Sequence, residues 1–236
     1  IYNFDDRYTV TATFRADGSS KFTKNKWGFF PSIAAAWDIS RESFMQDVKG
    51  VQNLKIRASY GVIGNQGISS YSTLGLLGQA YTNYGTGSNL YYGYWPTSLP
   101  TPDVTWEKTK QFDLGLEFSL WNQRLSFAID YFDKRTVDCL MNEPIPGYNG
   151  GGTYLKNVGR IDNKGVDFSV TAHLIQGRDW NWTSTLNGTY LKNEVKDLGS
   201  NEYIYGKTPA DKVADESSII MPGYGIGSFY GYVWEG

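Results

Sequence analysis

An aromatic stretch carries the clearest candidate binding chemistry in this sequence. It reads QAYTNYGTGSNLYYGYW over residues 79–95, and its aromatic side chains are Tyr81, Tyr84, Tyr91, Tyr92, Tyr94 and Trp95. Aromatic rings pack on apolar ligand surfaces, and tyrosine hydroxyls form hydrogen bonds, so the stretch suits a sugar or peptide ligand. The same rings also suit packing against neighbouring loops or a partner protein. We assign Tyr84, Tyr91, Tyr92, Tyr94 and Trp95 as candidate ligand-binding residues, and both roles stay open.

Acidic pairs are the next residues that could do chemistry. Asp103 with Glu107, and Asp130 with Asp133, have the residue types of a glycosidase acid and nucleophile. No pattern in the sequence positions either pair around a substrate bond, and polar residues are expected at alternate positions of a strand. We therefore predict no catalytic residue.

Cysteine and histidine usage argues against a metal centre. With one Cys and one His there is no Cys/His cluster for zinc, and Cys139 cannot form an internal disulfide. His173 takes a polar position in an alternating segment, and Asp17–Ser20 has the residue types of a turn rather than a cation site. We predict no metal and no cofactor.

Composition leaves the location of the chain open. The formal charge of -2 over 236 residues gives no basic patch or stripe of the kind that binds nucleic acid. No apolar run approaches the ~18 residues of a membrane helix. A mean hydropathy of -0.43 is typical of soluble proteins. It is equally typical of a transmembrane β-barrel, because half of each strand faces a polar lumen.

Most of the sequence alternates with a period of two, which predicts β-strands. In RYTVTATFRA, for example, Tyr8, Val10, Ala12 and Phe14 point one way and the threonines point the other. The same alternation marks segments that begin near residues 27, 54, 111, 124, 165 and 180, and GSFYGYVW near the end resembles the start of an eighth strand. The one helical candidate is SRESFMQDVKG, with Ser40 as its N-cap and Gly50 after its end.

Long and short connections between these strands tend to alternate. The long ones cover residues 63–103, 138–158 and 193–225, whereas residues 121–124 and 176–179 form tight turns. The link at residues 40–52 fits less well, because it falls on the short side without being short. Short turns on one side and long loops on the other are typical of an up-and-down membrane barrel. We therefore predict an all-β, antiparallel, transmembrane β-barrel.

Tryptophan spacing supports the same prediction. Ten residues separate Trp27 from Trp37 on one face, and at ~3.3 Å per residue with a ~40° tilt they span a height of ~25 Å, the height of a barrel's apolar band. Trp121 and Trp180 stand beside tight turns, and Trp106 stands at the loop end of its strand. We assign these five tryptophans to the aromatic girdles. Pro31 requires a bulge or an unpaired rim position, because it has no N–H to donate.

Several segments together resemble the SusC/RagA family of TonB-linked outer-membrane transporters. The segments are YTVTATFRADGSSKFTKNKWGFFPSIAAAWDISRESFM, LKIRASYGVIGN, LPTPDVTWEKTKQFDLGLEFSLWNQRLSFAIDYFDKRTVDCL, NVGRIDNKGVDFSV, WNWTSTLNGTYLKNEV and IGSFYGYVWEG. They occur in the order of the family and cover nearly the whole chain.

The resemblance implies a barrel of about 22 strands around a plug domain in the outer membrane of a Gram-negative bacterium. It also implies coupling to TonB, a SusD-like lipoprotein over the outer mouth, and uptake of oligosaccharides or peptides. Residues 1–236 would form part of the barrel wall, seven to eight strands. The plug, the TonB box and the closing strands would lie outside this chain.

Two other functions stay open on the residues alone. A soluble or surface β-rich glycan-binding module would use the tyrosine-rich loop as its site, and a passive, porin-like barrel would use the same wall. The barrel readings predict insolubility without detergent, whereas the module predicts a soluble monomer of 26.5 kDa.

Overall fold

The computed structural model describes residues 1–83, 90–145, 148, 153–206, 217–231 and 233–234. The described part of the chain forms fifteen strands. They are β1 (Tyr2–Phe4), β2 (Tyr8–Gly18), β3 (Trp27–Asp38), β4 (Val51–Asn65), β5 (Leu77–Asn83), β6 (Leu90–Pro96), β7 (Glu107–Leu120), β8 (Leu125–Val137), β9 (Leu140–Pro144), β10 (Thr153–Asn157), β11 (Arg160–Gln176), β12 (Asn181–Asp197), β13 (Ile204–Tyr205), β14 (Ser218–Ile220) and β15 (Ser228–Phe229).

Eight of these strands form one antiparallel sheet in the order β1-β2-β3-β4-β7-β8-β11-β12. Small hairpins interrupt the long connections: β5 pairs with β6, β9 pairs with β10, and β13 to β15 form a three-stranded sheet. We call the edge with the connections 5–7, 39–50, 121–124 and 177–180 the turn end. The opposite edge, where the long connections lie, is the loop end. This meander confirms the predicted wall of a partial up-and-down barrel.

The sheet has an apolar face and a polar face, as the alternation predicts. Tyr8 pairs with Trp37, and Val10 pairs with Ala35, so the apolar positions of β2 and β3 share one face. Large side chains on this face are open to the surroundings, with Phe14 71% exposed and Ile33 55% exposed. An extended apolar surface of this kind needs a cover, and lipid is the cover that a barrel wall has.

The apolar band crosses the strands obliquely. On β3 the band extends to Trp27. On β7 it extends only to Phe112, which the strand register places level with Ile33 of β3. On β8 it stops one step lower, at Tyr131 in the row of Leu114. Strands that are tilted through a band of constant height produce this steady offset, so the register agrees with barrel tilt.

Pro31 lies just beyond the end of a ladder. It faces Phe14 of β2, but pairing between β3 and β4 stops at Ser32 opposite Gly61. No ladder bond to β4 is lost at Pro31, which confirms the predicted unpaired position. Phe30 fills the space beyond this point, so closely that a Cβ at Gly28 or Gly64 would collide with its ring.

The predicted helix after β3 is wrong. Residues Ile39–Arg41 and Ser43–Met45 instead form two short 3₁₀ helices. Ser40 donates its hydroxyl to Asp38, and Glu42 turns back towards β3, so neither side chain supports a longer helix. Among the described residues, no helix is long and apolar enough to cross a membrane.

Two further expectations about strands differ from the structure. The eighth strand of the sheet is β1, not the segment GSFYGYVW, of which only Ser228–Phe229 is a strand and pairs with β14. The tyrosine-rich stretch is a hairpin rather than a plain loop. Its tyrosines occupy both faces, which hides the alternation of polar and apolar residues.

The buried core lies at the loop end rather than in the middle of the sheet. It contains Phe22, Phe30, Ile68, Val104 and Trp106, which come from three separate segments of the chain. We call these five residues the rim cluster. It forms a packed base for the long connections, which are therefore not loose excursions from the wall.

Candidate functional site

Trp37 ends the apolar band at the turn end, where Glu42 fixes its ring. Nε1 of Trp37 donates to Oε1 of Glu42 over 3.0 Å, the hydroxyl of Tyr8 donates to the same oxygen, and Arg7 pairs with Oε2 at 3.0 Å. Hydrogen bonds from Tyr8 and then Trp37 hold the pKa of the Glu42 carboxyl below its ordinary value. The rings of Tyr8 and Trp37 stack with centroids 6.1 Å apart, so four side chains form one unit.

The other tryptophans assigned to the girdles divide into two groups. Trp27 stands at the loop end of β3, whereas Trp121 and Trp180 stand at tight turns of the turn end, and all three are more than half exposed. Their girdle role stays a prediction. Trp121 lies in a turn with positive φ at residues 121, 122 and 123, which reverses the chain within four residues.

The assignment of Trp106 to a girdle is wrong. Its side chain is only 3% exposed, and its ring packs 5.3 Å from Phe22 and 5.5 Å from Phe30. Its Nε1 donates to the carbonyl of Lys26 over 3.3 Å. Trp106 is therefore the centre of the rim cluster, because the β2–β3 connection folds over it.

Hydrogen bonds join the long connections at the loop end. Nδ2 of Asn157 donates to the carbonyl of Thr105 over 2.8 Å, and its Oδ1 accepts from the N–H of the same residue over 2.7 Å. Lys24 pairs with Asp103 at 2.8 Å, and Thr73 donates to the carbonyl of Lys21 over 2.9 Å. These contacts make the loop end a connected platform on which the hairpins stand.

The β5–β6 hairpin separates the predicted ligand-binding residues between its two faces. Tyr81 pairs with Tyr92 and Gln79 with Tyr94, which puts these tyrosines on one face, while Tyr91 and Trp95 occupy the other. Rings of Tyr81 and Tyr92 lie 4.9 Å apart. All five aromatic side chains are at least half exposed. Tyr84, the remaining predicted residue, lies outside the described residues.

The polar face carries an ion pair that reaches across a strand. Arg57 of β4 binds both carboxylate oxygens of Asp130 of β8 over 2.8 Å, and also pairs with Glu117 at 3.3 Å. Between them lies Gly115 of β7, where a side chain would overlap both partners. The glycine therefore makes room for Nη2 of Arg57 to bind both carboxylate oxygens of Asp130, a charge-assisted contact.

Around this ion pair the polar face forms a shallow concavity of about 580 Å³. Short hydroxyl side chains and both signs of charge line it, including Thr9, Thr11, Arg57, Asp113, Asp130 and Lys134. Such a surface offers hydrogen bonds to a polar solute or to another protein domain. It carries no cluster of three or more His, Cys, Asp or Glu side chains within the described ranges.

The candidate acidic pairs do not share a site. Asp130 lies on the polar face, while Asp133 lies on the apolar face and pairs with Arg135 at 2.7 Å. Asp103 binds Lys24, and Glu107 accepts a hydrogen bond from Asn65. His173 contacts Thr183 at 2.8 Å on the polar face, as its position in the alternation predicts.

Sequence reasoning missed two of these features. Arg57 and Asp130 are 73 positions apart, so nothing local links them. A glycine inside a strong strand such as β7 is nevertheless a signal of close approach, and Gly115 could have pointed to the crossing contact. Glu42 carried no signal, because its role depends on the backbone turning back to Trp37.

Comparison with known proteins shows to which family this two-faced wall belongs. The family model described as TonB dependent receptor-like, beta-barrel, matches residues 1–226. The chain belongs to this family. It is 36% identical to TonB-dependent receptor P3 of Formosa agariphila over 100% of this chain and 24% of that protein.

Two further relatives confirm the predicted resemblance to SusC/RagA. The chain is 34% identical to TonB-dependent receptor SusC of Bacteroides thetaiotaomicron, over 98% of this chain and 24% of that protein. It superposes on the RagAB peptide transporter with a TM-score of 0.80 at 29% identity, over 96% of this chain and 24% of that one. The chain thus spans about a quarter of the length of the curated TonB-dependent receptors it matches.

Proposed function

We propose that the complete protein is a TonB-dependent importer of the bacterial outer membrane, and that this chain forms part of its barrel wall and outer loops. The observation that carries the proposal is the two-faced sheet, with an exposed apolar band on one side and charged and hydroxyl side chains on the other. A wall of this kind separates lipid from a polar passage. This surface supports transport rather than catalysis.

The proposed cargo is an oligosaccharide or a peptide. The concavity around Arg57 and Asp130 offers hydroxyl groups and both signs of charge, which suit either class. The RagAB structure is that of a peptide transporter, which favours the peptide for that relative. We propose that TonB supplies energy through parts of the protein outside this chain.

A SusD-like lipoprotein is the proposed partner at the loop end. The β5–β6 hairpin presents Tyr81, Tyr92 and Tyr94 on one face and Tyr91 and Trp95 on the other. Tyrosine and tryptophan dominate protein interfaces, and exposed aromatic patches mark contact surfaces. Contact between these rings and the cargo is the second candidate, since aromatic rings also stack on sugars.

Cell-based uptake tests the proposed function. Cells that express the complete protein are given a labelled oligosaccharide or a labelled peptide, with and without a protonophore. We expect the protein in the outer-membrane fraction and uptake that the protonophore abolishes. Uptake that survives the protonophore would support the porin-like alternative, and a soluble protein would support the glycan-binding module.

Paired variants of the hairpin separate its two candidate roles. Tyr92→Ala with Tyr94→Ala changes one face, Tyr91→Ala with Trp95→Ala changes the other, and Tyr148→Ala changes an exposed tyrosine outside the hairpin as a control. If a face binds the lipoprotein, its variant loses the co-purifying lipoprotein. If it binds cargo, the lipoprotein stays and cargo affinity falls. If both double variants still bind the lipoprotein and the cargo like the wild type, the hairpin has neither role.

A further inference from the structure

A charged patch follows directly above the apolar band on four adjacent strands. The patch begins at the next position on the same face, two residues beyond the aromatic residues Phe112, Tyr131 and Tyr190. Seven cations and four carboxylates make up the patch: Lys108, Lys110, Arg135, Arg160, Lys164, Lys192 and Lys196 with Asp133, Asp162, Glu194 and Asp197. These side chains lie on the apolar face, and the first of them follow the last aromatic ring by about 7 Å along the strand.

The pairing of the patch leaves positive charge uncompensated. Lys164 lies directly opposite Lys192, and Lys110 lies directly opposite Arg135. Like charges in these positions repel each other across a sheet. Asp133 compensates Lys164 and Arg135, but Lys192 is 3.9 Å from Glu194, and no described acidic group pairs with Lys110. An anionic group bound beside each pair would relieve the two repulsions.

The patch is confined to one side of the wall. On β2 and β3 the apolar face continues to Ala16, Gly18, Phe29 and Trp27 without a charged residue. On these two strands the apolar band extends to the loop end, so no strand position lies above the band there, whereas the positions above it on β7, β8, β11 and β12 carry the charge.

We propose that this patch binds the phosphate groups of outer-leaflet glycolipid, with the acyl chains of the same lipid on the apolar band below. The inference rests on the proposed outer-membrane location. Lysine and arginine beside an apolar surface match a ligand that carries phosphate next to hydrocarbon. Tyr190, 73% exposed below Lys192, lies where an aromatic ring meets the headgroup level.

Lipid A binding to the complete protein in detergent tests this proposal. Bisphosphorylated lipid A and the same lipid without phosphates are titrated against the wild type, Lys110→Gln with Lys192→Gln, and the control Lys49→Gln with Arg178→Gln at the turn end. Each headgroup lysine contributes roughly fivefold in affinity, so we expect the wild type and the control to prefer the phosphorylated lipid by roughly tenfold or more. The patch variant should lose most of this preference.

Two results would overturn the proposal: equal affinity of the wild type for both lipids, or an unchanged preference in the patch variant. Membrane fractionation and uptake, measured on the same variants, keep this test apart from the proposed function. If the wild type inserts and imports but ignores lipid phosphate, only the lipid site fails. If the wild type does not reach the outer membrane, the transporter proposal fails.

Discussion

Trp37 and Trp106 both stand at ends of strands, but they belong to regions built in opposite ways. At the turn end, Trp37 is part of the exposed apolar face, where its ring stacks on Tyr8 and its N–H donates to Glu42. At the loop end, Trp106 is buried among phenylalanines that reach it from other connections. The rings of the first region are open to the surroundings, whereas the second region makes its own core. Tryptophan at a strand end is therefore not sufficient to identify a membrane girdle.

Trp106→Ala should give the largest effect on stability. It removes a fully packed ring from the rim cluster, and substitutions of this kind cost about 3–5 kcal/mol. We expect the long connections of the complete, membrane-inserted protein to become sensitive to limited proteolysis. Trp27→Ala is the matched control, because its ring is 65% exposed, and equal proteolysis of the two variants would contradict the comparison.

Gly115→Ala should give the second largest effect, on the polar face between the two regions. The new methyl group would displace Arg57 from Asp130, at a cost of about 1–3 kcal/mol for an overpacked site. Chemical denaturation of the refolded protein measures the loss. In an Asp130→Asn background the ion pair is already gone, so the cost of the alanine should shrink. A cost that stays the same would show that the crossing contact contributes nothing.

Acidification should break the contacts of Glu42 at the turn end. The pKa of Glu42 is held below the ordinary glutamate value of about 4.3, so its contribution to stability is complete above that value and is lost as the pH falls through the lowered pKa. We expect the indole N–H signal of Trp37 in NMR spectra to shift in that window. Glu42→Gln should abolish the transition, and a transition that persists in this variant would assign it to another group.

The smallest effect concerns Cys139 at the loop end. The thiol is 5% exposed, and burial raises its pKa to about 11. Alkylation at pH 8 should therefore be slow in the wild type. Cys139 precedes Leu140, which packs on the rim cluster. Trp106→Ala should accelerate the alkylation, whereas Trp27→Ala should leave it slow; rapid alkylation of the wild type would argue against a closed loop end.

The sequence was sufficient to predict the wall but not the loop end. Alternation identified all seven long strands of the sheet, because within the apolar band one face is apolar and the other is polar. It did not identify β1, which has three residues, or the β5–β6 hairpin, whose tyrosines lie on both faces. Local patterns report local geometry, and both features lack a pattern that distinguishes the two faces.

Long-range contacts explain the remaining errors. Trp106 was assigned to a girdle from its position along the strand, but its burial depends on Phe22 and on Lys26, which lies 80 positions away. The ion pair of Arg57 with Asp130 likewise joins strands separated by a long connection. Pro31 was the reverse case, since its missing N–H alone predicted a bulge or an unpaired position, and the register shows that β3–β4 pairing ends before it.

The central claim is that one face of the sheet contacts lipid while the other contacts water. Spin labels at single cysteines, introduced into a Cys139→Ser background of the complete protein in liposomes, test it directly at Ile33, Ala34, Ile129 and Ala128. We expect high accessibility to lipid-dissolved oxygen at residues 33 and 129, and low accessibility at residues 34 and 128. Equal accessibility at neighbouring positions, or high accessibility on the polar face, would contradict it.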